Sequence, residues 1–158
     1  MDVDRDRLQA KLDDIRARVA QLRDTRRGGR DAFRGDPVLI DATVRRLQTA
    51  IEAAVDAALH MVVRENLGKP ADHADAFRLL AQAGVIPAED LPRLLAMVRF
   101  RNLAVYLYAD VDDLAVWDIV DGDLADLERL VARLARRYLN PDDESTGDPV
   151  RDGGGGAG

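Results

Sequence analysis

Apolar residues recur at intervals of three and four along most of this chain, and this spacing limits its fold more than any other feature. In residues 4–26 the set consists of Leu8, Leu12, Ile15, Val19 and Leu22. A second set follows over about thirty residues and consists of Ile40, Val44, Leu47, Ile51, Val55, Leu59 and Val62. These intervals place side chains on one face of an α-helix, and no stretch shows the alternation typical of a strand. The sequence therefore predicts an all-α fold.

Turn residues and caps set the limits of the first two helices. Gly28 and Gly29 should end the first helix, because glycine favours the position after a helix. Asp36 and Pro37 then supply an N-cap and a proline at the first position of the second helix. The sequence "GKP" at residues 68–70 should end this helix.

The second half of the chain should contain shorter helices. One is expected at about residues 72–83, ended by Gly84, and the next begins near Pro87. Asp112 is a plausible cap for the last helical region, which should break near Gly122. The apolar set of that region consists of Trp117, Val120, Leu124, Leu127, Val131, Leu134 and Tyr138. The prediction is an up-down bundle of about five helices.

The carboxyl-terminal segment differs in composition from the rest of the chain. Residues 140–158 are rich in Asp and Gly and end in "GGGGAG", so they cannot bury enough apolar area to become ordered. We expect one folded domain at residues 1–139 and a disordered acidic tail at residues 140–158. The tail carries most of the net charge of -6, so the nearly neutral body does not exclude a nucleic-acid partner.

Composition excludes several kinds of site. The chain has no cysteine, which excludes thiolate metal sites, disulfides and cysteine nucleophiles. No stretch approaches the ~18 uninterrupted apolar residues of a membrane span, and the amino terminus is charged throughout. We expect a cytoplasmic protein with no membrane association.

Five arginines lie close together in the sequence "RDTRRGGRDAFR" of residues 23–34. Two interpretations remain open for this segment. It is either a solvated loop or a phosphate-binding patch.

The length of the first two helices raises the question of oligomeric state. Their apolar faces are long enough to exceed what one small subunit can cover, and a helical dimer would bury the surplus. The alternative is a monomeric bundle in which other helices cover both faces.

The sequence "RNLAVYLY" of residues 101–108 places an arginine, an asparagine and two tyrosines in an otherwise apolar run. Burying such polar groups without partners costs roughly 1 to 3 kcal/mol each. This segment is therefore either unusually well satisfied by internal partners or part of a functional site.

Three segments together resemble the HepT branch of the HEPN superfamily, also known as the DUF86 family. They are "AIEAAVDAALHMV", "AFRLLAQAGVIPAEDLPRLLAMVRFRNLAVYLYADVD" and "VWDIVDGDL". The resemblance covers residues 3–139. It implies an all-helical two-fold homodimer in which an R-x4-H motif from each subunit meets in the dimer cleft. It also implies a metal-independent endoribonuclease that needs no cofactor, acts as a toxin on RNA and is paired with an MNT-type nucleotidyltransferase antitoxin.

The family motif is Arg, four residues, His, one residue, Tyr, and it maps here onto Arg101, Tyr106 and Tyr108. The histidine is missing, because Tyr106 takes its place. The family pattern favours a functional Asn102, which contacts the scissile phosphate or holds its neighbours in place, and by the resemblance Tyr108 is the residue that the antitoxin adenylylates. The other possibilities are that Asn102 bonds local backbone at the helix end and that Tyr108 only packs within the bundle.

The missing histidine bears directly on the chemistry. RNA cleavage without a metal needs a base for the 2′-hydroxyl proton, an acid for the leaving 5′-oxygen and a cation for the phosphate. Arg101 is suited to the last role because its guanidinium is always charged. Tyr106 can donate a proton but is a poor base, since a phenol has a pKa near ~10 and an imidazole near ~6.5. The resemblance thus leaves two hypotheses, a toxin ribonuclease with an impaired site or a non-catalytic domain that binds a nucleotide or a nucleotidyltransferase.

Other polar residues are better explained by structure than by function. His60 and His73 are expected on a helix surface or in the core. Arg93 and Arg99 share the fourth helix with Arg101, where an exposed arginine is ordinary.

The acidic group Asp110, Asp112 and Asp113 lacks the spacing of a metal-binding loop. We therefore expect helix capping from these residues and no metal site.

Overall fold

The structure, a computed structural model, describes residues 3–106 and 111–139, apart from the side chains of residues 3 and 106. The helices are α1 (Val3–Arg27), α2 (Arg30–Arg34), α3 (Pro37–Arg64), α4 (His73–Gln82), α5 (Leu91–Tyr106), α6 (Asp113–Gly122) and α7 (Leu124–Tyr138), with a 3₁₀ turn at Ala88–Asp90. These ranges contain no strand, and the predicted all-α fold is confirmed. The expected tail of residues 140–158 lies outside the described residues.

Several helix limits agree with the local sequence. The carboxylate of Asp36 accepts a hydrogen bond from the Leu39 N–H at 3.0 Å, and that of Asp112 accepts one from the Leu114 N–H at 3.0 Å. Both residues are N-caps that satisfy an amide which the helix itself leaves without a partner. Gly84, at a φ of 76°, ends α4 as expected. The break near Gly122 is also present, between α6 and α7.

The end of α3 was predicted incorrectly. The helix ends at Arg64, before the expected stop at residues 68–70. Asn66 adopts a left-handed φ of 54°, and the N–H of Leu67 bonds to the carbonyl of Val62 at 3.0 Å. Asparagine tolerates this conformation better than most residues, so it closes the helix in the way that glycine usually does.

Most of the arginine-rich segment 23–34 is helical, so its interpretation as a loop is correct only for Gly28 and Gly29. It contains the last turn of α1 and all of the five-residue helix α2. Phe33 of α2 is fully buried and packs against Trp117, with ring centroids 5.4 Å apart. Burial of this one aromatic ring fixes a segment that is otherwise polar.

Helix α3 lies at the centre of the bundle and packs against α1, α2, α4, α5 and α6. Its buried residues are Ile40, Thr43, Val44, Leu47, Ala50, Ile51, Ala54, Val55, Ala57, Ala58, Met61 and Val62. The predicted apolar face of α1 is buried against α3 and α7, with no member more than 4% exposed. No helix in the described residues is both long and apolar enough to span a bilayer.

Few large apolar side chains of the two long helices are left uncovered. Among the described side chains, α1 leaves no large apolar residue exposed, and α3 leaves only Val38 and Val63. The others are Leu103 and Val105 at the end of α5 and Leu114 at the start of α6. Neighbouring helices thus cover most of the two long apolar faces, and the exposed apolar side chains lie at the two ends of α3, at the end of α5 and at the start of α6.

Candidate functional site

Arg101 lies near the carboxyl end of α5, at the edge of the core. Val98 and Ala104 are each three residues away on the same helix, and both are 2% exposed. The side chain of Arg101 is itself only 18% exposed. A cation at such a position must be paired to offset the loss of water.

The partner of Arg101 is Glu52 of α3. The Nε of Arg101 donates to Oε1 of Glu52 at 3.3 Å. The same oxygen accepts a hydrogen bond from Nε2 of Gln48, one turn earlier on α3, also at 3.3 Å. This ion pair restricts the guanidinium to one position against α3 without using all of its N–H groups.

Asn102 contacts a different nitrogen of the guanidinium from the one that Glu52 contacts. Nη1 of Arg101 donates to Oδ1 of Asn102 at 3.1 Å. Because arginine can only donate, this contact requires the oxygen of the amide to face Arg101 and leaves its NH₂ group as a donor. Among the described residues, Nη2 of Arg101 has no protein partner. Unused N–H groups on both residues suit an anion such as phosphate.

An open cleft of about 530 Å³ lies over these two side chains. Its walls come from α5 and from the amino-terminal end of α4, which packs against α5. The lining residues are Asp72, His73, Ala74, Val98, Arg101 and Asn102. His73 was expected only on a helix surface or in the core, and it is exposed at the wall of this cleft.

The structure brings together two of the predicted site residues, Arg101 and Asn102. Tyr106 is the last residue of α5, and its side chain is not among those described. Tyr108 and Asp110 lie outside the described residues. Their roles remain predictions from the motif.

Other arginines are held in ion pairs away from this cleft. Arg93 pairs with the buried carboxylate of Asp126 at 3.4 Å, so it connects α5 to α7. Arg99 is exposed on α5, as expected.

Three arginines at the end of α1 line another cleft, and each is paired with a carboxylate. The pairs are Arg23 with Glu128, Arg26 with Asp121 and Arg27 with Asp24. This compensation of charge at three of the five arginines argues against a phosphate-binding patch at the end of α1.

His60 lies in a separate cleft between α1 and α3, with Arg7, Lys11 and Asp56 among the lining residues. Its Nε2 is buried and has no hydrogen-bond partner among the described residues. His60 is thus a partly buried helix residue, as expected. In the part of the chain that the structure describes, no group of three His, Cys, Asp or Glu side chains is arranged to hold a metal ion.

The chain is similar to known ribonucleases in sequence. A family model described as Ribonuclease HepT-like matches residues 12–134. The mRNA nuclease HepT of Shewanella oneidensis is 34% identical over 104 residues, which cover 66% of this chain and 78% of that protein.

Solved structures agree with this similarity. A toxin–antitoxin structure with AMP-PNP contains a chain that is 29% identical and superposes with a TM-score of 0.77, covering 82% of this chain and 97% of that one. The tri-AMPylated Shewanella oneidensis HEPN toxin in complex with MNT antitoxin is 28% identical, with a TM-score of 0.76 and coverage of 85% and 98%. The cytosolic protein YutE of Bacillus subtilis has the same fold at 18% identity, with a TM-score of 0.76 and coverage of 89% and 93%.

Proposed function

This chain belongs to the ribonuclease HepT-like family, and from that premise we propose that it is the toxin of a toxin–antitoxin pair and an endoribonuclease that works without a metal. Its substrate is RNA in the cytoplasm, and its partner is a nucleotidyltransferase antitoxin of the MNT type. Two features of similar proteins support this proposal: the Shewanella oneidensis relative is an mRNA nuclease, and a similar HEPN toxin forms a complex with MNT antitoxin.

The observation that carries the proposal is the position of Arg101 beside Asn102. Glu52 holds the guanidinium through Nε, while Nη2 and the amide NH₂ of Asn102 have no partner among the described residues and lie at an open cleft. As the 2′-oxygen attacks phosphorus, negative charge builds up on the phosphate oxygens. Fixed donors at that point stabilise the transition state more than the ground state, because they need no reorganisation during the reaction.

Tyr106 weakens this activity. It occupies the motif position at which the family has histidine, and a phenol keeps its proton near neutral pH. General acid–base catalysis contributes typically ~10²- to 10⁴-fold, so the site as it stands is an impaired nuclease. The alternative is a domain that no longer cleaves RNA and instead binds a nucleotide or a nucleotidyltransferase.

We expect the purified protein to cleave RNA slowly in the presence of a chelator, and Arg101→Ala to lower that rate by about 10²- to 10³-fold, as removal of one transition-state donor does. The products should be a 2′,3′-cyclic phosphate and a 5′-hydroxyl, measured by end-labelled RNA on gels. Arg99→Ala is the matched control, because Arg99 is an exposed arginine on the same helix that does not line the cleft.

The outcome separates the two functions. Cleavage that needs a divalent metal would contradict the proposed mechanism. If neither this protein nor Tyr106→His cleaves RNA, while both still bind an MNT-type nucleotidyltransferase, the non-catalytic alternative is correct.

We propose that the active form is a two-fold homodimer that brings two copies of Arg101 and Tyr106 to one cleft. Leu103 and Val105 are 37% and 39% exposed, and Leu114 is 36% exposed. These apolar side chains, close to Arg101 along the chain, suit an obligate interface, which should bury on the order of 2,000 Å² or more in total. Residues 1–139 form the folded domain in this proposal, and residues 140–158 form a disordered tail.

A mass measurement in solution at roughly tens of micromolar tests the dimer, for which large apolar interfaces are typical. The unmodified protein should have the mass of two chains. Val105→Asp should shift it to one chain, because a carboxylate buried without a partner opposes association. Val63→Asp is the control, since Val63 is 78% exposed on another helix. A monomer before any substitution would contradict the proposal.

The nucleotidyltransferase partner is proposed to attach AMP to Tyr108. The similar Shewanella oneidensis toxin is AMPylated, and Tyr108 occupies the position of the last tyrosine in the family motif.

A further inference from the structure

The cleft over Arg101 contains a cation and an amide donor but lacks the motif histidine. The 2′-hydroxyl proton must therefore pass to another residue or to water. The sequence contains two histidines, His60 and His73, and no cysteine. An imidazole is the side chain best suited to exchange a proton near neutral pH.

His73 lies at the wall of the same cleft as Arg101 and Asn102. It is the first residue of α4, and its side chain is exposed to solvent. His60, in contrast, lines the cleft between α1 and α3, which shares no residue with this one. The fold thus brings one of the two histidines to Arg101 from a different helix.

The backbone at His73 is held in place on both sides. The carboxylate of Asp72 caps α4 by accepting a hydrogen bond from the Asp75 N–H at 2.8 Å. Asp75 in turn accepts a hydrogen bond from the Ala71 N–H at 2.9 Å. This reciprocal arrangement resembles a capping box and fixes the start of the helix. Among the described residues, the charged groups that line the cleft with His73 are Asp72 of α4 and Arg101 of α5.

We propose that His73 is a catalytic residue of this protein, and that it accepts the 2′-hydroxyl proton of RNA in place of the missing motif histidine. This inference rests on the proposed ribonuclease function. The 2′-oxygen forms a bond to phosphorus while the bond from phosphorus to the 5′-oxygen breaks. The imidazole takes the 2′-hydroxyl proton, water supplies the proton that the 5′-oxygen takes up, and His73 then returns its proton to solvent. The products are a 2′,3′-cyclic phosphate and a 5′-hydroxyl, with no net change in protons.

The test compares His73→Ala and His73→Gln with His60→Ala, each in the full chain and with a chelator present. The rate of RNA cleavage should fall by about 10²- to 10⁴-fold in both His73 variants, as expected for loss of a general base. His60→Ala should keep the rate of the unmodified protein. Thermal unfolding curves identify any variant that has lost its fold. His73 is exposed at the helix start, so neither substitution should lower the unfolding temperature greatly.

Two further measurements separate proton transfer from a structural role. Added imidazole should restore cleavage in His73→Ala, and the rise of the rate with pH on the acidic side should disappear in that variant. In the Tyr106→His background, His73→Ala should have little effect, because the motif histidine then supplies the base.

The possible results test the role of His73 and the ribonuclease function separately. Cleavage by the unmodified protein that is unaffected in both His73 variants would overturn the role of His73 and leave the ribonuclease function intact. Cleavage only by Tyr106→His would also overturn the role of His73, and it would show that the protein with Tyr106 is not itself an active nuclease. Absence of cleavage from both the unmodified protein and Tyr106→His would overturn the proposed function itself, and the role of His73 with it.

Discussion

Tyr106→His should raise the rate of metal-independent RNA cleavage, by as much as about 10²- to 10⁴-fold where no other residue supplies the base, because this is the usual contribution of a general acid–base group. The substitution restores the R-x4-H spacing from Arg101. Arg101 is already held by Glu52, and among the described residues the amide NH₂ of Asn102 has no partner. Expression of the variant should also inhibit bacterial growth more strongly than expression of the unmodified protein.

Two matched variants determine whether position and chemistry are both required. Adding Arg101→Ala to Tyr106→His should remove most of the gain, because the phosphate then loses its cation. Leu103→His adds an imidazole to the same helix at the wrong spacing and should give no gain. The rates are measured on one RNA substrate with a chelator present. If Tyr106→His cleaved no cellular RNA under these conditions, the ribonuclease proposal would give way to the binding-domain alternative.

The helix limits were predictable wherever they depend on local chemistry. Asp36 and Asp112 cap helices because a short carboxylate reaches the first free amides of its own segment. Gly84 ends α4 because it adopts a positive φ without a steric cost. The apolar face of α1 was predictable for a similar reason, since the periodicity of a helix alone decides which residues share a face.

The structure of α2 and the end of α3 were predicted incorrectly, because contacts that the sequence pattern does not show determine them. A five-residue helix such as α2 is too short to be stable alone, and burial of Phe33 against Trp117 is what fixes it. In the sequence, the glycine and proline at residues 68–70 are a stronger indication of a helix end than Asn66 is. The helix nevertheless ends before Asn66, because the left-handed turn there gives hydrogen-bond partners to the carbonyls of Val62 and Val63.

In the site too, some residues were predictable from the sequence and others only from the structure. The motif in the sequence identified Arg101 and Asn102, which are adjacent in the chain. It did not identify Glu52 or His73, because their distance from Arg101 depends on how α3 and α4 pack against α5. Sequence periodicity gives the face of each helix but not the register between two helices, so contacts across helices had to come from the structure.

Tyr108→Phe should abolish the attachment of AMP by the partner nucleotidyltransferase. The phenol oxygen of Tyr108 would attack the α-phosphorus of ATP, form an ester bond to AMP and release pyrophosphate, while its proton passes to a carboxylate of the partner or to water. Mg²⁺ held by the partner orients ATP and reduces the electrostatic repulsion between its phosphates and the attacking oxygen. Tyr106 is the competing phenol, two residues away in the same segment.

Attachment of AMP to Tyr108 should also inhibit the nuclease. It places a bulky anion close to Arg101 along the chain, where it competes with RNA phosphate for the guanidinium and repels the substrate backbone. The experiment incubates the unmodified protein, Tyr108→Phe and the control Tyr106→Phe with an MNT-type nucleotidyltransferase, ATP and Mg²⁺, and maps added AMP by mass spectrometry. Tyr106→Phe should still be modified, and AMP should silence the Tyr106→His variant. Modification that persists in Tyr108→Phe would show that another residue is the acceptor.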